Sequence, residues 1–227
     1  MVLRNFLPAI EARVQSTPDL VAQALREAIL HGFYDAGQPL RQDEIAATLQ
    51  VSKIPVREAL RRLEAEGLVV FYANRGAMVA PLRPDEAQEI AEIRIALETL
   101  ALRLALPKLT PRDLRHARGI LEDLDGERDS ARWGALNRDF HQCLYAPAQR
   151  PQLLALITTQ HRRFDRYMRV VLAAMQHQTQ SQAEHHALLD ACERRDGAIA
   201  VHVLEEHIAG AVRLLVEQLP PEPARLL

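Results

Sequence analysis

Cysteine is scarce in this 227-residue chain: only Cys143 and Cys192 occur. Two are too few for a disulfide framework, and a reducing, cytoplasmic compartment is the expectation. No run approaches ~20 consecutive apolar residues, so no transmembrane helix and no membrane partner are expected. The opening Met1-Val2-Leu3-Arg4-Asn5-Phe6-Leu7-Pro8 lacks a long apolar stretch and a cleavage site, so no signal peptide is read there. Glycine is sparse, nine residues against abundant Ala and Leu, which points to a mostly helical protein. Charge of one sign is also missing. At a net −2, any nucleic-acid contact requires basic residues concentrated in one place. What is present, 48% hydrophobic and 26% charged residues, argues against global disorder.

The chain divides by punctuation and by histidine. Residues 1–80 hold nine Lys/Arg and nine Asp/Glu, so the first part is not basic as a whole. Of nine histidines, only His31 precedes residue 84. The joint Pro81-Leu82-Arg83-Pro84 disfavours helix before each proline. The reading is therefore a first domain over 1–80, a linker at 81–84, a helical domain over 85–219 and a frayed tail at 220–227.

In the first part, Asp19 is placed to cap a helix carrying Leu20, Ala24, Leu25, Ala28 and Ile29, stopped by Gly32. A second helix is expected over Gln42–Leu49. After Gln50-Val51-Ser52, a third runs to Glu66 with Ser52 as cap and Pro55 in its first turn. Two β segments, Leu68–Phe71 and Ala77–Ala80, flank the turn signal Asn74-Arg75-Gly76. Two helices on a tight turn followed by a β-wing make a winged helix-turn-helix. On the third helix, Val56, Leu60 and Leu63 form an apolar stripe, and Lys53, Arg57 and Arg61 follow at i, i+4, i+8 on a neighbouring one. A cationic stripe beside a core stripe suits a helix in a major groove. The plainer alternative is a solvated face paired with Glu58 and Glu64.

The runs Leu40-Arg41-Gln42-Asp43-Glu44-Ile45-Ala46, Ser52-Lys53-Ile54-Pro55-Val56-Arg57-Glu58-Ala59-Leu60 and Leu63-Glu64-Ala65-Glu66-Gly67-Leu68 resemble the reading domain of GntR-type bacterial transcription regulators. The resemblance implies that Ser52, Lys53, Arg57 and the wing tip Arg75-Gly76 meet DNA, with Arg41 on a phosphate. Lys53 stands where the family often has Arg, a departure that weakens a bidentate guanine contact there.

The second part shows no strand signal. Its periodicity predicts about six helices, 85–106, 111–125, 131–145, 151–176, 179–195 and 198–219, which is an all-α bundle with room for a ligand or metal between helices. His185 shares a face with Leu188, Leu189 and Cys192; His207 shares one with Val203, Leu204, Ile208 and Ala211. Each lies roughly 15–18 Å from the turn at Gly197, hence at similar height in an antiparallel pair. Asn137 and His141 stand at i, i+4 beside Leu136, Phe140 and Leu144. Three inward histidines plus an amide oxygen suit a divalent transition metal; three satisfied core histidines are the alternative. His186 is turned away, and His116, His161, His177 and His202 are read as surface residues. Arg94 is inward beside Ile90, Leu97 and Ala101, either paired with Glu98 or clamping an effector carboxylate. The cluster Arg162, Arg163, Arg166 and Arg169 spans several faces.

Ile93-Arg94-Ile95-Ala96-Leu97-Glu98, Asn137-x-x-Phe140-His141-x-x-Leu144, Glu184-His185-x-x-Leu188-Leu189 and His207-Ile208, in this order, resemble the FCD ligand-binding domain of the FadR group, in its shorter VanR-like form. The resemblance implies a metal on Asn137, His141, His185 and His207, with Asn in place of a common Asp, and an effector at Arg94. It also implies a homodimer on a short palindromic operator, acting more often as repressor. Zinc or nickel suits imidazole better than magnesium or calcium does. The rival is a metal-dependent hydrolase tethered to DNA. It needs a general base, yet no inward Asp or Glu is evident near these histidines and His-Glu-x-x-His is absent, so no enzyme is expected. A third reading makes any metal purely structural.

Overall fold

The computed structural model describes residues 16–173 and 175–218. The amino-terminal stretch read for a leader and the tail from 219 onward lie outside the described residues, as do the side chains of Arg166, Arg169 and His177. The described residues form two compact units that divide between Leu82 and Arg83.

In the first unit, α1 (Thr17–Leu30) begins earlier than expected. Ser16 is its cap residue, and Asp19 sits three positions into the helix, where its carboxylate accepts the Ser16 backbone N–H at 3.2 Å. Asp19 therefore closes the cap from the inside rather than being the cap. Gly32 takes a left-handed φ of +76° and ends the helix. Next come α2 (Gln42–Leu49) and α3 (Lys53–Ala65), joined across Gln50, which is left-handed at φ 57°. The wing is the antiparallel pair β1 (Val69–Tyr72) and β2 (Gly76–Val79), in register Val69 opposite Val79, one residue off the expected segments at every end. Asn74 at φ 64° and Gly76 at φ 75° supply the left-handed backbone its tip requires. The core is the predicted stripe: Val56, Ala59, Leu60 and Leu63 of α3 are all 0% exposed, packed against Leu25 and Ala28 of α1. Arg26 stitches the same contact from outside through a bidentate pair with Glu66 at 2.6 and 2.8 Å.

The second unit holds six α-helices among its described residues: α4 (Pro84–Ala105), α5 (Pro111–Gly126), α6 (Ser130–Tyr145), α7 (Pro151–Ala173), α8 (Met175–Glu193) and α9 (Gly197–Gln218). Short 3-10 turns follow α4 and α6. Pro at the first helical position starts α4, α5 and α7, where its missing N–H costs nothing. Helix α8 begins at Met175 instead of 179, because Met and Gln sustain a helix where the polar run suggested a loop. Helix α4 packs on α7, α9 and α6, while α8 packs on α9 and α5. The inner faces of α4, α6, α7, α8 and α9 thereby enclose one polar interior.

Candidate metal centre and nucleic-acid face

Helices α6, α8 and α9 bring His141, His185 and His207 together. All three are buried, and one nitrogen from each lies within 4.8 Å of the others. Ring centroids are 5.2 Å apart for His141–His185 and His141–His207, and 4.5 Å for His185–His207. Each ring is oriented by its Nδ1. His141 Nδ1 lies 3.2 Å from the Tyr145 hydroxyl, which itself donates to the Glu98 carboxylate at 2.9 Å and so accepts from the imidazole. His185 Nδ1 donates to Gln182 Oε1 at 2.8 Å, and His207 Nδ1 to Glu184 Oε2 at 2.9 Å. The Gln182 amide is fixed in that sense because its Nε2 donates to Asp125 at 2.8 Å, a carboxylate that also holds His186. With Nδ1 the donor on all three rings, Nε2 is the lone-pair atom each offers to the centre.

Among the buried atoms with no hydrogen-bond partner in the described residues are His141 Nε2 and Asn137 Oδ1, one turn apart on α6. A buried acceptor without a donor is costly, and a cation satisfies both at once. Burial, then the neighbouring His207, holds the His141 imidazole well below the usual histidine range, so it stands in the neutral, ligating form. The donor set of three imidazoles and one amide oxygen fits a divalent transition metal.

Beside this cluster lies a second, fully buried group. The Arg94 Nε donates to Glu98 Oε1 at 2.8 Å, and His161 Nε2 donates to the same oxygen at 2.9 Å. Burial alone would raise the Glu98 carboxyl, but Arg94 and His161 hold it well below the ordinary range. His161 corrects the expectation of a surface histidine: it is 4% exposed. Its signal was present, since Ile157, His161 and Phe164 follow at i, i+4, i+7 and all three are buried. Glu98 and Glu184 also correct the expectation that no carboxylate stands near the histidines. Both are committed to ring nitrogens or to Arg94, so neither is a general base in waiting. Arg94 further lines a small cavity with Trp133, Asn137, Phe164, Ser181 and His207, with room for about one water molecule. Ser181 is 1% exposed and its Oγ has no hydrogen-bond partner; this residue and Trp133 were missed, although they stand four residues before His185 and Asn137. Arg162 is exposed, and Arg163 reaches Glu86 at 3.3 Å.

On the first unit, α3 sorts its own cations. Lys53 is tied to Asp43 at 2.6 Å. Arg61 pairs with Glu64 at 2.8 Å and stacks over Phe71 at 4.1 Å, which braces α3 on the wing. Arg62 pairs with Asp19. Arg57 makes no ion pair with the described residues, and projects from α3 into a groove shared with Ile54, Glu58, Arg61 and Arg62. A second groove gathers Arg41, Lys53, Arg75 and Gly76 where the starts of α2 and α3 meet the wing. Ser52 stands at the start of α3 with its side chain making no cap bond.

Comparisons with known proteins agree with both halves. Residues 18–79 match the bacterial regulatory proteins of the gntR family, and residues 89–210 match the FCD domain. The chain is 29% identical over 218 residues to the HTH-type transcriptional regulator BphR of Paraburkholderia xenovorans (strain LB400), covering 92% of this chain and 89% of that one. It is 30% identical over 204 residues to the "Probable D-xylose utilization operon transcriptional repressor" of Paenarthrobacter nicotinovorans, covering 85% and 88%. The solved structure of E. coli McbR/YncC superposes with a TM-score of 0.74 at 26% identity, over 90% of this chain and 99% of that one. The matched proteins are regulators, and the hydrolase alternative finds no support among them. The chain belongs to the GntR family of DNA-binding transcription regulators, with an FCD domain behind its winged helix-turn-helix.

Proposed function

We propose that the protein is a homodimeric repressor whose grip on a short palindromic operator is set by a small carboxylate effector, bound beside a zinc or nickel ion in the bundle. The observation that carries this reading is the convergence of three buried imidazoles, each with Nδ1 engaged, beside the partnerless Asn137 Oδ1. Asn137, His141, His185 and His207 would hold the ion, in the manner of the VanR-like subtype. When bound, it supplies positive charge and an electrophilic position for an anion. The four ligands carry no negative charge, so that charge is left undiminished.

Arg94 gives the effector its second anchor. Its Nε is spent on Glu98, while the guanidinium also faces the small cavity. Because that cavity holds only about one water molecule, a carboxylate has to displace packed groups to enter. Binding thus favours a reshaped bundle over the present one, which is the differential affinity a switch requires. On DNA, Arg57 reads a base edge, while Arg41, Ser52, Lys53, Arg75 and Gly76 hold backbone. Arg61, committed to Phe71 and Glu64, contributes at the margin of the contact.

The test is a single set of measurements on purified protein. Elemental analysis should find zinc or nickel, and either ion should raise the melting temperature, with affinity falling in acid as protons compete for the imidazole nitrogens, at His141 only below the ordinary histidine range. Asn137→Asp should tighten the metal and weaken the effector together. Arg94→Ala should abolish the operator response to effector. If it lowers stability and leaves the response intact, Arg94 only partners Glu98.

A further inference from the structure

Helix α3 carries one side chain that neither the core nor its own ion pairs explain. Ile54 is 70% exposed, the highest value among the large exposed hydrophobics of the described residues. Folding gives no reason for it, because a β-branched residue gains nothing in a solvated helix turn and costs some helix propensity. It stands three residues before Arg57, in the same groove as Arg57, Glu58, Arg61 and Arg62. Three arginines and one glutamate around an isoleucine are a poor seat for an apolar protein partner and a good one for a polyanion.

We infer that Ile54 is a specificity-determining residue that reads a thymine by its C5-methyl group, one or two base steps from the base read by Arg57. This inference rests on the reading of α3 as the groove-facing helix. Apolar side chains in a major groove have one partner of matching chemistry, the thymine methyl, and Arg has guanine O6 and N7. Neighbours at i, i+3 on a helix have Cβ atoms about 5–6 Å apart. Successive bases along a strand rise about 3.4 Å. The two contacts therefore fall within about two base steps of each other. Burying one methyl group is worth about fourfold in affinity.

The experiment uses the full chain and a randomised double-stranded DNA library, from which binding sites are selected by the wild type, by Ile54→Ala and by Arg57→Ala. The wild type should enrich a half-site with guanine and thymine, on either strand, within two base steps. Ile54→Ala should keep the guanine and lose the thymine. On the selected site, deoxyuridine in place of that thymidine removes only the methyl. This should weaken the wild type about fourfold and leave Ile54→Ala unchanged. Because Ile54 is exposed, the variant should melt with the wild type, which circular dichroism checks. An unaltered motif with Ile54→Ala, or no effect of deoxyuridine at any thymine of the half-site, overturns the inference. If Arg57→Ala alters the motif and Ile54→Ala does not, only Ile54 loses its role. If neither changes it, or the wild type enriches no sequence, the groove-facing reading of α3 falls as well.

Discussion

The two units place their chemistry on opposite sides of their cores. Every buried polar or charged side chain among the described residues, namely Arg94, Glu98, Thr99, His141, His161, Ser181, His185 and His207, belongs to the bundle. The winged unit has a core of aliphatic and alanine side chains, and its cations sit on the outer surface in loose, mostly exposed pairs. The difference follows from the partners. A polyanion as large as DNA is met at a surface, and such contacts need charge without desolvation. A small ion or acid is met inside, where a low dielectric strengthens each contact and every unsatisfied group is expensive. Changes outside one core should therefore move binding and spare stability, whereas changes inside the other should move both.

The largest expected effect is at Glu98. Glu98→Ala leaves Arg94 without its buried partner, and denaturant unfolding of the bundle should lose about 3–5 kcal/mol. The folded Glu98 carboxyl lies below its unfolded value of about 4.3. Its stabilisation is therefore complete above that pH and declines as pH falls toward the folded value, visible in acid titrations of unfolding and absent in the variant. Next is the ion: zinc or nickel at about a thousand times its dissociation constant should add about 4 kcal/mol, and His207→Ala should remove that gain. A protein that no transition metal stabilises would make the two interiors alike in being merely structural. Third, Arg57→Ala should cost about 1–3 kcal/mol in operator binding by mobility shift, yet change unfolding by no more than about 0.5 kcal/mol. The smallest is Tyr145→Phe. It cuts the hydrogen bond to His141 and leaves Arg94 and His161 on Glu98, so metal affinity should fall about tenfold, and the ion-free melting temperature should drop modestly, because Glu98 Oε2 and His141 Nδ1 lose a buried partner. A Tyr145→Phe variant that binds metal as tightly as the wild type would confine Glu98 to the core.

Most of this architecture was legible in the sequence because periodicity encodes facing. The stripe Val56-Leu60-Leu63 and the inner faces of α8 and α9 announced their burial, and four of the six bundle helices begin and end within two residues of the periodic estimate. Local rules failed where two residues share a task. Ser16 and Asp19 divide the cap of α1 between them, so the acidic residue looked like the cap itself. The burial of His161 was legible in the face it shares with Ile157 and Phe164, whereas its pairing with Glu98, 63 positions away, is one that no local pattern can display. Arg61 looked equivalent to Arg57 by spacing, and only the return of the wing, which brings Phe71 beneath it, separates the two.

Asp125 closes the account of the centre from an unexpected direction. Its side chain is nearly half exposed at 47%, yet it decides which end of the Gln182 amide faces His185. An amide is nearly symmetrical in shape and opposite in polarity at its two ends, so it acts here as a two-position selector. Asn at position 125 would offer that amide both a donor and an acceptor and leave the selector unset. The His185 ring could then take either tautomer, one of which turns a proton toward the place an ion should occupy. A position that looks like solvent-facing filler therefore carries one bit of information read at the centre of the bundle, and sequence drift at Asp125 should register as lost metal binding in a protein that still folds.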